Sequence, residues 1–276
     1  MKRKLAENFK KVQGRVEAAC ARAKRDPTEV TLVAVTKSVG IDVIKRLVDS
    51  GVRHLGESRV QELTKRAAVA HEYLSRRQRD PAANLLPRPQ WHMIGHLQRN
   101  KVKSLLPWVD LIHSVDSLRL AEEIDARAEQ HGRAVEVLME INAGLEPQKY
   151  GVPVGAATHL AEQIVSLPRL RLTGVMAMAP LEANADQRHG CFSRVYEVFE
   201  EMRQDVVRCE DFRKLSMGMS NDFETAIECG STLVRVGTAL FEGVGLQDRS
   251  SVSNGLVASD GQEPPEKSLG SGATSK

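Results

Sequence analysis

The sequence predicts an α/β protein, a single (β/α)8 TIM barrel, on three observations. Eight short runs rich in β-branched and apolar residues alternate with longer helical stretches, the pattern of a parallel sheet covered by helices. No G-x-G-x-x-G follows the first run, which counts against an open dinucleotide-binding sheet. The chain has 276 residues, enough for a barrel of ~250.

Taken in order, the chain opens with a helix. Leu5, Phe9, Val12, Val16 and Ala19 recur at helical spacing and run on to Asp26-Pro27, which favours a helix of the mature domain over an import presequence. The first strand is expected over Val30 to Lys37, with a helix near 41–50. The second spans His54 to Ser58, followed by a helix near 58–78, and the third Gln90 to His96, with a helix near 97–106. Then come Leu111 to Asp116 with a helix near 117–131, Ala134 to Asn142 with one near 153–166, and Leu170 to Ala179 with one near 185–208. Lys214 to Met219, a helix near 221–229, and Leu233 to Phe241 complete the count. Arg76 to Pro89, crowded with arginines and prolines, reads as a surface loop. From Arg249 the chain is Ser/Gly/Pro-rich without an aromatic residue, so a folded domain over 1–247 and a disordered tail over 248–276 are expected.

Composition narrows the function classes. The 39 basic and 36 acidic side chains leave a formal charge of +3, too small to imply a nucleic-acid partner, and the balance favours a small ligand. The basic stretch from Lys65 to Lys103 is broken by Glu72, Asp80 and prolines and reads as a solvated face. No apolar run approaches the ~18 residues of a membrane span. Lys2, Arg3 and Lys4 are followed by no apolar core, which excludes a secretory signal. Cys20, Cys191, Cys209 and Cys229 stand far apart with no C-x-x-C pair, so reduced thiols and a cytoplasmic setting are expected.

Reactive groups of such a barrel belong at the carboxyl ends of its strands. Lys37 ends the first run, on the face of Val33 and Val35. An apolar strand beneath it would disfavour the ammonium and leave free amine to attack an aldehyde; the alternative is a strand-end lysine reaching into solvent. The last two strands carry Ser216-Met217-Gly218-Met219-Ser220-Asn221-Asp222 and Arg235-Val236-Gly237-Thr238. Gly218 and Gly237 let a phosphate approach backbone N–H groups, Ser216 and Thr238 offer hydroxyls, and a helix beginning near Asn221 would aim its positive end inward. First and last strands adjoin once a barrel closes. An aldehyde carrying a phosphate, pyridoxal 5'-phosphate (PLP), matches both ends. Arg235, if it faces the ring, would donate to the pyridine nitrogen, keep it unprotonated and weaken the ring as an electron sink; the alternative pairs it with Glu224 or Glu228 at the rim. Glu57, Ser58, His92, His96, His113 and Asn142 also stand at strand ends. His92 and His96 share a face but have no third ligand at a characteristic spacing, so no metal site is expected.

Five blocks, in order, resemble the pyridoxal phosphate homeostasis protein family: Ala34-Val35-Thr36-Lys37, Gly56 to Glu62 (GESRVQE), Trp91 to Lys101 (WHMIGHLQRNK), Ser216 to Ser220 (SMGMS) and Gly230 to Thr238 (GSTLVRVGT). The resemblance implies a barrel of the alanine racemase amino-terminal type, with Lys37 holding PLP as an internal aldimine. It implies that Ser216, Met217, Gly218, Gly237 and Thr238 match phosphate-binding positions and that Arg235 faces the pyridine nitrogen. Ser58 and His92 join that cofactor-binding set, and no catalytic residue is assigned. The family is regarded as a carrier or regulator of the vitamin B6 pool, which implies apo-enzymes as recipients; a monomer is expected. Ser58 stands where the family usually has asparagine, a shorter side chain with fewer hydrogen bonds.

The competing class is a PLP-dependent racemase or decarboxylase. Such barrels cover the cofactor with a second domain and a partner subunit that supply an acid-base group and exclude water, whereas here the barrel takes up nearly all the chain expected to be ordered. Only Tyr73, Tyr150 and Tyr196 could serve as a tyrosine base, and Tyr150, after the fifth strand, is the one placed to reach the mouth. A cofactor-free Schiff-base aldolase would use Lys37 similarly but needs a strand-end acid-base pair that is not identifiable.

Overall fold

Runs such as Thr-Leu-Val-Ala-Val bury both faces, one against helices and one in a closed interior, and so they read as almost continuous apolar stretches. In the computed structural model, which describes residues 2–79, 86–144, 150–207 and 209–244, they form β1 (Thr31–Val35), β2 (His54–Glu57), β3 (Gln90–Met93), β4 (Leu111–Val115), β5 (Val135–Asn142), β6 (Val152–Pro153), β7 (Leu170–Ala177), β8 (Lys214–Ser216) and β9 (Leu233–Val236). The helices are α1 (Lys2–Arg22), α2 (Ile41–Asp49), α3 (Val60–Gln78), α4 (Val102–Leu105), α5 (Leu118–Gln130), α6 (Val154–Val165), α7 (Ala185–Asp205), α8 (Phe223–Glu228) and α9 (Thr238–Phe241). Eight strands pair in parallel in the order β4-β3-β2-β1-β9-β8-β7-β5, and β4 pairs with β5 to close the ring. This is the expected barrel. The short β6 only extends the sheet beside Ile141 and Asn142 of β5.

The differences lie at strand ends. The first strand stops at Val35, whose last partner is Gly56, and leaves Lys37 in the following turn. The final run was expected to stay extended to Phe241, but after Gly237 it turns into α9; Val-Gly-Thr-Ala-Leu-Phe is apolar throughout and carries no period that separates the two. The loop expected from Arg76 begins later, since α3 continues through Gln78; its residues 80–85 lie outside the described ones. The chain divides into units Met1–Leu246 and Gln247–Lys276, and the tail expected after 247 likewise lies outside the described residues. Among these, no helix is long and apolar enough to cross a membrane, and the four cysteines form no disulfide.

Two apolar clusters hold the fold. The larger lies between sheet and helices and includes Leu55, Trp91, Met93, Ile112, Phe192 and Phe212. The smaller, Val33, Leu111, Leu138, Met176 and Leu233, fills the barrel interior. Gly174 on β7 serves that closure: a Cβ there would lie 1.7 Å from Lys214 O, so only glycine lets β8 come so near. The first helix packs on the last elements, α8 and α9. Its stripe of Leu5, Val12 and Val16 is buried, and Asn8 Nδ2 donates to Leu240 O and Glu242 O, both at 2.9 Å.

Candidate cofactor-binding site

Thr36, the residue before Lys37, is pinned by a buried cluster. Its N–H donates to Gly56 O at 3.0 Å, its hydroxyl donates to Glu57 Oε1 at 2.5 Å, and Arg66 of α3 donates to its carbonyl at 2.5 Å. Arg66 and Glu57 also form an ion pair, with side chains only 5% and 1% exposed. Burial pushes the Glu57 carboxyl up against the pull of Arg66. The turn carrying Lys37 is therefore rigid at its base, while Lys37 itself is exposed. The burial expected of Lys37 is absent, because the apolar strand ends two residues earlier.

Beside this turn stand the two glycines. Gly218 follows β8 at φ +88, and a Cβ there would lie 2.6 Å from Ala226 Cβ and 2.7 Å from Phe223 Cα. A Cβ on Gly237 would approach Val35 O, at the end of β1, to 3.3 Å. Arg235 N–H donates to Gly218 O at 3.0 Å, locking the two turns together. The structure thus brings the ends of β1, β8 and β9 into one mouth.

The hydroxyls are distributed differently from expectation. Ser216 is fully buried in the interior, where its Oγ meets Arg235 and His113 instead of the mouth. The hydroxyl near Gly237 belongs to Ser220, whose Oγ accepts from Gly237 N and Ala239 N, both at 3.3 Å. Thr238 is exposed at the start of α9. The Met217 side chain points outward into the larger core, so that residue offers only backbone to the mouth. The helix expected near Asn221 begins at Phe223, and Asp222 Oδ1 accepts from Met219 N at 2.5 Å, which puts a carboxylate at its amino end. Ser58 is half-buried after β2 against Gly95, where a Cβ would lie 2.4 Å from Ser58 O.

Arg235 points into the interior. Glu224 and Glu228, its alternative partners, pair instead with Arg15 and Arg22 of α1. Its Nη1 donates to Ser216 O at 2.8 Å and Ser216 Oγ at 2.6 Å, and Nη2 to Ala177 O at 3.0 Å. Burial lowers its pKa to about 10, opposed by Glu140 and Asp222, so it stays charged at neutral pH. Glu140 of β5 is 4% exposed, and burial with Asp116 nearby pushes its carboxyl up to about 7.

His92 makes no free offer to the mouth. Its Nε2 lies 3.0 Å from His54 Nδ1 and its Nδ1 2.9 Å from His113 Nε2. Burial, then His54 and Lys214, holds it at about 3, and burial with His92 and Arg235 holds His113 well below the ordinary value. These rings bond in file instead of converging on a point, and among the described residues no group of three or more ligating side chains is placed to hold a metal ion. Of the tyrosines, Tyr73 donates to Asp49 on the helix layer and Tyr196 packs on Gly230. Tyr150 stacks on His96 at 3.8 Å, with His96 Nδ1 3.5 Å from Asp116. Sequence reasoning passed over Arg66, Ser220 and Glu140; only Glu140, an acidic residue inside an apolar strand, left a signal there.

Residues 3–244 match the family model of the alanine racemase N-terminal domain. The chain is similar to the pyridoxal phosphate homeostasis protein of Aquifex aeolicus, at 37% identity over 85% of this chain and 96% of that protein. It is similar to the protein of the same name from Escherichia coli strain K12, at 34% over 86% and 95%. Among solved structures it resembles PipY of Synechococcus elongatus with PLP bound, at 31% identity and TM-score 0.69, covering 82% of this chain and 99% of that one.

Proposed function

Because this chain belongs to the pyridoxal phosphate homeostasis protein family, we propose that it binds PLP at the mouth formed by β1, β8 and β9 and buffers or delivers it within the cytoplasm. The observation that carries the reading is an exposed primary amine, Lys37, on a rigid turn beside the Gly218 and Gly237 turns. When bound, PLP supplies an aldehyde that condenses with a primary amine, releasing one water. Lys37 is that amine. The two glycine turns give backbone N–H groups access to the phosphate, with Ser220 and Thr238 as the adjoining hydroxyls. Arg235 offers the pyridine nitrogen a donor that does not give up its proton at neutral pH, and Ser216 serves by holding Arg235. Ser58 adds a short polar contact. His92 acts through His113 and Ser216, since both its nitrogens are engaged.

Storage fits this mouth better than turnover. Lys37 is open to solvent, whereas a carbanion next to the ring needs water excluded and an opposing acid-base group. The specific observation favouring a second reading is Tyr150, stacked on His96 at the end of β5. A screen for Lys37-dependent racemisation or decarboxylation of amino acids decides between the two. Titration with PLP should turn the protein yellow, borohydride should bleach it, and mass spectrometry should find the reduced adduct on Lys37. Lys37→Ala should take up no covalent PLP. A wild type that stays colourless would sink the binding reading.

A further inference from the structure

The interior carries a line of polar groups that PLP binding alone does not require. From Arg235 it passes through Ser216 Oγ (2.6 Å), His113 (2.9 Å) and His92 (2.9 Å) to His54 (3.0 Å). Strand register sets its slope: His54 stands at the amino end of β2, His92 is level with Gly56, and His92 pairs with Leu111, two residues before His113. The line therefore climbs from the amino-terminal end, crosses from β4 to β8, and ends beneath the carboxyl-terminal mouth. At its lower end His54 borders a cavity of about 600 Å³ lined by Thr31, Gln90, Glu136, Lys214 and Leu233 among others.

Counting hydrogens gives the line a direction. A guanidinium has donors only, so Ser216 Oγ accepts from Arg235. Ser216 is 0% exposed, and among the described residues His113 Nδ1 is the one acceptor within reach of its hydroxyl, which must donate there or be orphaned. His113 is kept neutral by burial and by Arg235, so its single hydrogen sits on Nε2 and goes to His92 Nδ1. His92, neutral through burial and the neighbouring His54 and Lys214, carries its hydrogen on Nε2 and gives it to His54 Nδ1. Every bond points away from Arg235 toward the cavity.

We infer that His54, His92, His113 and Ser216 are positioning residues for Arg235: a hydrogen-bond file of one polarity that aims the guanidinium at the bound ring and ties its hold to the protonation of His54 at the far end of the barrel. The part concerning the ring rests on the PLP reading. His54 cannot gain a proton on Nδ1 while His92 donates there, so charging His54 requires His92 and His113 to exchange tautomers and His113 to become the donor to Ser216. The Ser216 hydroxyl hydrogen then loses its acceptor. Around His54 stand Arg53, Lys214, Glu136 and Asp110; around Arg235 stand Glu140 and Asp222.

The tautomers are read by nitrogen-15 NMR of the imidazoles without any cofactor. At pH 8 the expected result is Nε2–H for all three rings, and His92 and His113 should stay neutral down to pH 5, passing to Nδ1–H only as His54 takes its proton; an Nδ1–H form of either at pH 8, or a charged form of either at pH 5, overturns the file. In the loaded protein, His92→Leu should move the pH midpoint of the visible band by roughly half a pH unit or more, in the direction of Arg235→Gln. His92→Gln, whose amide can accept from His113 and donate to His54, should restore it. An unmoved midpoint in His92→Leu, or equal effects of the two variants, overturns the proposal. If the wild type takes up no PLP, the function reading fails separately, and the file stands or falls on its tautomers and on the Arg235 Nε resonance in His92→Leu.

Discussion

Ser58 is the residue at which this chain departs from the usual pattern of its family, and its surroundings make the departure testable. It is half-buried beside Gly95, just after β2, the strand that pairs with β1. Ser58→Asn should tighten PLP binding by about 1 kcal/mol, the worth of one added hydrogen bond, which a fluorescence or absorbance titration reads as a several-fold lower Kd. Gly218 permits no such freedom. At φ +88 with Ala226 and Phe223 inside 3 Å of a new Cβ, Gly218→Ala should cost roughly 2 kcal/mol or more, seen as a lower urea midpoint. That Lys37 and the two glycine turns stand just past strand ends was legible in the sequence, because each follows directly on an apolar run; the exposure of Lys37 was not, since that run leaves the sheet at Val35. Which serine faces the mouth was not legible. Ser216 and Ser220 differ by whether the chain is still in β8 or already past the Gly218 turn, and nothing in Ser-Met-Gly-Met-Ser marks that boundary.

At the scale of elements, α3 and β2 hold the first turn through Arg66 and Glu57. Removing one partner of a buried pair strands the other, so Arg66→Met should cost about 3–5 kcal/mol, while the double change Arg66→Met with Glu57→Gln should recover part of it. A single variant as stable as wild type in chemical unfolding would contradict the buried pair. The eight strands were legible as elements because a barrel strand is apolar on both faces and stands out from polar helix surfaces. Their ends were not, since pairing with the neighbouring strand sets them: β1 stops where Val35 meets Gly56. The four-residue α9 was hidden for a related reason, being too short to show a helical period.

Across the whole molecule, the interior decides how stability answers to pH. His92 is held at about 3 and His113 is shifted the same way. Rings with depressed folded values stabilise the protein above about 6.5, and that contribution is lost as pH falls, by up to about 1.4 kcal/mol per pH unit for each ring. Glu140 runs the opposite way: raised from 4.5 to about 7, its contribution is full at low pH and lost as pH rises through 7. Three lowered imidazoles, His54 included, against two raised carboxyls, Glu140 and Glu57, give a net loss in acid. Urea unfolding should show stability falling from pH 7 to 5, and Glu140→Gln should make the fall steeper; an unchanged slope would refute the raised carboxyl. The polar file itself was invisible in the sequence because it joins five strands, with His113 and Ser216 separated by 103 positions. The first helix, finally, leans on the last elements: Asn8 bonds Leu240 and Glu242, and Arg15 and Arg22 pair with Glu224 and Glu228. During synthesis that helix leaves the ribosome ahead of partners more than two hundred residues downstream. Its oily stripe therefore stays uncovered on the nascent polypeptide until those distant partners have been made, a stretch of time in which a chaperone could hold it.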